Sequence, residues 1–112
     1  MNNQQIEYLE QVIAAFKQCS ISFVLQSGQL HHDYQISFND IKAATGLQQL
    51  SHTIIDEYLN YFHTQRISAD SDYANDIRIN IDLNEVVLNP HEARDLANNI
   101  EYQHLKIMYD QI

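Results

Sequence analysis

Six histidines are the residues of this 112-residue chain best equipped for chemistry, and His31-His32-Asp33 is their densest run. Neighbouring imidazoles beside a carboxylate suit a divalent metal, but a metal centre needs spacings that bring its ligands to one point. His91-Glu92 begins like the H-E-x-x-H helix pair, yet Asp95 stands where the second histidine belongs. His52, His63 and His104 are scattered, and the single cysteine, Cys19, excludes the cysteine-rich zinc sets. Asp70-Ser71-Asp72 with Asp76 begins like a calcium loop. Ala74 and Asn75 then occupy the places that call for an oxygen ligand and a glycine. Nucleophilic catalysis needs an activated thiol or hydroxyl beside a base, whereas Cys19 falls on an apolar helix face and is expected to pack in the core. With only Gly28 and Gly46, no glycine-rich phosphate loop can form. The expectation is a protein without catalytic, metal or cofactor-binding residues.

What remains is electrostatic. Fifteen acidic residues face six basic ones, giving a net charge of −9 and a pI near 4.8. Such a field repels the phosphate backbones whose neutralisation supplies most nucleic-acid affinity. The acids either form a solubilising surface or serve a partner with a basic one. Their placement bears on the choice: from Arg66 to Val86, Asp70, Asp72, Asp76, Asp82 and Glu85 are opposed by Arg66 and Arg78 alone.

The elements that position these groups follow from hydrophobic period. Residues 4–19 place Ile6, Leu9, Val12, Ile13, Phe16 and Cys19 on one arc, as an amphipathic helix does. From 21 to 36 the period becomes two, with Ile21, Phe23 and Leu25 before Ser27-Gly28 and Leu30, His32, Tyr34 and Ile36 after it. That pattern predicts a β-hairpin. Ser37 and Asp40 mark the start of a short helix, Phe38 to Thr45, ended by Gly46. A second helix over 47–63 buries Leu47, Leu50, Ile54, Tyr58, Tyr61 and Phe62. Ile77, Ile79, Ile81 and Leu83 alternate with polar residues, and Ile67 and Ala69 begin the opposing strand. Asp72 to Asn75 connect the two, and a brief strand Val86 to Leu88 follows. Asn89-Pro90, with Glu92 at the third helical position, opens a last helix to about Asp110. No linker or repeat interrupts the chain, so residues 1–112 form one α+β domain.

Helix, hairpin, helix-turn-helix and β-ribbon, followed by a long carboxy-terminal helix, is an order that resembles a winged helix-turn-helix. "ISFNDIKAATGLQQLSHTIIDEYL" followed by "RISADSDYANDIRINID" carries the resemblance, over roughly residues 36–83. Ile41, Ala43, Ala44, Thr45, Gly46 and Leu47 fit the family's first helix and turn. Lys42, His52 and Asp56 depart from its usual small or apolar residues. The resemblance implies that Gln49, His52, Thr53, Asp56 and Asn60 face a partner, with the ribbon beside them. In a DNA-reading member that face enters the major groove, and Gln and Asn can pair with adenine edges. Between Lys42 and Arg66, however, there is no Lys or Arg to hold phosphates.

The last helix carries two apolar stripes. Ala93, Leu96, Ala97, Ile100, Ile107 and Met108 form one, and Tyr102, Leu105, Tyr109 and Ile112 the other. A helix apolar on two sides has two packing partners. One is the core; the other is the amino-terminal helix or a second copy, and a homodimer through Tyr102, Leu105, Tyr109 and Ile112 is the expectation. No apolar run approaches the roughly 20 residues of a membrane span. The first residues lack the features of a signal peptide, and one cysteine suits a reducing compartment, so the cytoplasm is expected. The expected activity is binding. Asp70, Asp72 and Asp76, together with the helix face from Gln49 to Asn60, would meet a basic surface on a nucleic-acid-handling protein, as an inhibitor, an immunity or antitoxin-type protein or a DNA mimic does. The alternative is a sequence-specific transcriptional regulator.

Overall fold

A computed structural model describes residues 1–111; the Ile112 of the expected second stripe lies outside them. The elements are α1 (Asn3–Ser27), β1 (His31–Ser37), α2 (Phe38–Thr45), α3 (His52–Thr64), β2 (Ser68–Ser71), β3 (Asp76–Asp82) and α4 (Pro90–Asp110). This is an α+β fold.

Helix α1 starts at a capping box in which Asn2 accepts from the Gln5 amide and Gln5 accepts from the Asn2 amide. It then runs through residues 21–27, where the period had predicted the first strand of a hairpin. Three alternating residues are too few to outweigh helical continuity. Ile21 and Val24 extend the stripe of Leu9 and Ile13, and no breaker intervenes before Gly28, which ends the helix at φ 70°. Strand β1 is therefore not half of a local hairpin. It pairs antiparallel with β3, which also pairs with β2, for a sheet order β1-β3-β2.

Helices α2 and α3 are joined by residues 46–51, which are not helical as the 47–63 reading expected. Ser51 accepts from the Ile54 amide and starts α3 at His52, so Leu47 and Leu50 pack from the connection, half-buried. The expected strand at 86–88 is likewise absent. Asp82 accepts the Glu85 and Val86 amides through its carbonyl and the Asn84 amide through its side chain, which turns the chain.

The core lies between the helices and one face of the sheet. Ile77, Ile79 and Ile81 of β3 are at most 3% exposed and meet Ile55, Tyr58 and Phe62 of α3 in one cluster. Full burial of each such side chain contributes roughly 1.5–3 kcal/mol. Phe16 of α1 stacks on Tyr34 of β1 at 4.3 Å, and the Ser20 and Tyr34 hydroxyls are 2.7 Å apart. Cys19 is exposed rather than in the core, because α1 turns Lys17, Ser20 and Ile21 inward on either side of it.

Helix α4 begins as the residues predicted: Asn89 caps it, Pro90 opens it and Glu92 completes a capping box. Its packed side follows neither expected stripe and shares only Leu96 with the first. Glu92, Leu96, Asn99 and Gln103 run along α1, while Ala93, Ala97, Ile100, Ile107 and Met108 are exposed. Glu92 and Asn99 find polar partners on α1, whereas the buried Gln103 Oε1 has none among the described residues. Lys17 Nζ donates to Glu92 Oε1 at 2.9 Å and to the Val87 carbonyl at 3.2 Å, and Asn99 donates to the Ile21 carbonyl. Gln103 closes on Gly28, where a Cβ would lie 3.4 Å from its Nε2. These contacts ascend both helices together, so α1 and α4 are parallel. Beyond Gln103 the last turns of α4 project past the end of α1, and the molecule measures 57 × 26 × 21 Å.

Candidate protein-binding surface

The helices cover one face of the sheet and leave the other to water, which an antiparallel sheet tolerates when alternate residues are polar. Period two sends His32, Tyr34 and Ile36 inward and His31, Asp33 and Gln35 outward. On β3 it buries Ile77, Ile79 and Ile81 and turns out Arg78, Asn80 and Asp82. Register then decides which polar groups meet. Asp33 lies opposite Asn80, Gln35 opposite Arg78 and His31 opposite Asp82. From the other side Ser68 faces Asn80, and Asp70 faces Arg78.

The outer face is thus a mesh of cross-strand polar pairs. Asn80 Nδ2 donates to Asp33 Oδ1 at 2.7 Å and Gln35 Nε2 to Asp76 Oδ2 at 3.1 Å. Arg78 Nε lies 3.5 Å from Asp70 Oδ1, and His31 Nδ1 lies 3.7 Å from Asp82 Oδ2. Both members of the Arg78–Asp70 pair are largely exposed, so it contributes little to stability. Arg78 is the one Lys or Arg on the three strands, against Asp33, Asp70, Asp76 and Asp82. A depression of about 470 Å³ sits on this face, lined by Asp33, Gln35, Ser68, Asp70, Arg78 and Asn80 among others.

A second polar cluster lies where the β2–β3 turn reaches α3. Tyr73, in the left-handed region at φ 59°, stacks on His52 at 4.5 Å and donates to Asp56 Oδ1 at 2.5 Å. That hydrogen bond is the main cause of the raised Tyr73 pKa. Asp72 Oδ1 accepts the amides of Ala74, Asn75 and Asp76, and these bonds, Asn75's first, pull its carboxyl down to about 2.

The residues expected to contact a partner therefore divide. Asp70 and Asp76 belong to the sheet face. Asp72 is not the unengaged surface acid it resembled: it holds the turn together, because an aspartate at the head of a tight turn can satisfy the amides that follow it. His52 and Asp56 are engaged by Tyr73, while Gln49, Thr53 and Asn60 are exposed and make no side-chain hydrogen bond among the described residues. Asp33, Gln35, Arg78, Asn80 and Asp82 were missed. Their alternation was visible in the sequence, but it takes the β1–β3 register to gather them. His63 Nε2 lies 3.2 Å from the Ala69 carbonyl on β2, so one tautomer caps that free edge.

Among the described residues no three His, Cys, Asp or Glu side chains are grouped as for a metal ion, and no helix is long and apolar enough to cross a membrane. No known protein family, curated protein or solved structure matches the chain.

Proposed function

We propose that this chain is a non-catalytic, acidic protein-binding module that docks its open sheet face on a basic, nucleic-acid-handling protein and thereby inhibits or regulates it. The observation that carries the reading is the composition of that face: four aspartates spread over three strands, and one cation already paired with Asp70. Lys17 adds nothing outside, since it is buried against Glu92. Complementary charge of this kind speeds encounter and excludes wrong partners. Cytoplasmic residence belongs to the same reading, with Cys19 as a free thiol.

A second reading, direct DNA recognition, is favoured by the order α1-β1-α2-α3-β2-β3 with the sheet arranged β1-β3-β2. The resemblance to a winged helix-turn-helix rests on that element order. Against it, the outward face of α3 carries Asp56 and Glu57 with no Lys or Arg, and the ribbon turn lies against His52 and Asp56.

The deciding experiment captures partners from the native host and measures the purified partner's association rate at two salt concentrations. Asp33→Asn with Asp70→Asn should slow association, most at low salt. A matched loss of charge on α1, Glu7→Gln with Glu10→Gln, should have a smaller effect. Equal effects would reduce the face to bulk charge, and no effect from either would leave the acids as solubilising groups only. Steeply salt-dependent binding of the chain itself to duplex DNA would replace the first reading with the second.

A further inference from the structure

Helix α4 is left without cover where it outruns α1. Tyr102, Leu105 and Tyr109, spaced three and four residues apart, lie on one side of it and are 60%, 47% and 77% exposed. Toward the start of the helix the same line continues through Asn98, Asp95 and His91. His91 and Asp95 pair with each other at 3.3 Å, and Asn98 is exposed. In sequence Ile112 takes the next place. The spacing is that of the first and fourth positions of a heptad, which form the seam of a two-stranded coil.

We propose that this end of α4 is a self-association helix that pairs in parallel with α4 of a second copy. The charges beside the seam argue for that occupant. Glu101 precedes the first seam residue and Lys106 follows the second, so the two flank the stripe on opposite sides, five residues apart. In a parallel pair those flanking positions face each other across the seam, so Glu101 of each copy meets Lys106 of the other, twice by symmetry. Overall charge points the same way. Glu101, Lys106 and Asp110 are the charged residues from 100 to 111, in a chain of net −9. Each copy therefore brings a net charge of only −1 to this end, while a basic partner is drawn to the sheet face instead.

The area sets the strength. Covering Tyr102, Leu105 and Tyr109 on both copies removes on the order of 700 Å² from water. Stable interfaces bury roughly 1,200–2,000 Å². The dimer is accordingly weak and depends on concentration, with dissociation near the micromolar range or somewhat above it.

Sedimentation equilibrium from about 5 to about 500 µM spans that range. Mass should rise from monomer towards dimer with concentration, and Leu105→Glu with Tyr109→Glu should hold it at monomer without loss of helical circular dichroism. If that pair unfolds the chain, Tyr109→Glu alone decides, since Tyr109 is the most exposed of the three. Glu101→Lys and Lys106→Glu should each weaken the dimer severalfold, and mixing the two variants should restore it as a heterodimer. In a Cys19→Ser background, Tyr109→Cys should oxidise to a covalent dimer, as a parallel seam requires. A wild type that stays monomeric throughout overturns the proposal, as does a Glu-substituted variant that still dimerises. Failure of the mixed charge variants to pair, or of the position-109 thiols to cross-link, overturns the parallel register.

Discussion

Replacing Glu92 with alanine should cost this domain about 3–5 kcal/mol, the penalty for leaving a buried ion without its partner. Glu92 is 6% and Lys17 9% exposed, so water cannot take over the role of the lost carboxylate. Without it Lys17 Nζ keeps only the Val87 carbonyl, and the Asn89 amide loses the acceptor that closed the α4 capping box. A domain of this size has about 5–15 kcal/mol in all. The loss should therefore lower Tm by roughly 10–25 °C. Urea denaturation followed by circular dichroism measures the cost directly, and the slope should stay unchanged if the folded state is otherwise intact. The companion variant is Lys17→Met with Glu92→Leu. Two apolar side chains of similar bulk remove both charges at once, so most of the stability should return, short of about 1 kcal/mol for the lost cap. A cost below about 1 kcal/mol for Glu92→Ala would show that Lys17 finds water or another partner. A double variant no more stable than the single one would show that geometry, not the stranded charge, sets the cost.

Two further expectations concern pH. The Asp72 carboxyl, held at about 2 by turn amides, stabilises the fold fully above its ordinary value of 3.8, and that contribution is lost as pH falls towards 2. Asp72→Asn, which keeps the accepting oxygen, should flatten the acid limb of a Tm-against-pH curve, whereas Asp72→Ala should lower Tm at neutral pH as well; identical curves for all three chains would refute the role. Burial, and then His31, depresses the pKa of His32, which stacks on Phe23 and has no hydrogen-bond partner for either ring nitrogen among the described residues, although Asp33 pulls the other way. Below about 6.5 the unfolded chain therefore binds a proton that the folded one resists. Stability should fall from pH 7.5 to 5.5, and His32→Leu should shrink that fall; an equal fall in the variant would assign it to other histidines.

How far the residues disclosed this structure depended on the range of the interaction concerned. Helix starts at Ser37 and Asn89, the stop at Gly46 and the alternation of β3 are local, and each reads directly from capping chemistry or period. Residues 21–25 misled because three alternating side chains fit a strand and a continuing helix alike, and it is the stripe Ile21 and Val24 share with Leu9 and Ile13 that decides. The buried line of α4 was hidden because its partners lie far off in the chain. Glu92, Asn99 and Gln103 look like a solvent face until Lys17 and the Ile21 carbonyl are set against them. The acidic sheet face was half visible: alternation placed Asp33 and Asp82 outward, but pairing strands so far apart in the chain needed the fold. The parallel apposition of the first and last helices also bears on how the chain assembles. The bonds from Lys17 to Glu92 and from Asn99 to the Ile21 carbonyl span 75 and 78 residues, and contacts of that range slow folding because a large loop must close first. On a ribosome, the Lys17 ammonium would meet its counter-ion only after α4 has emerged, so a nascent chain stalled before Pro90 should leave the groove side of α1 open to proteases and chaperones until the last helix arrives to shut it.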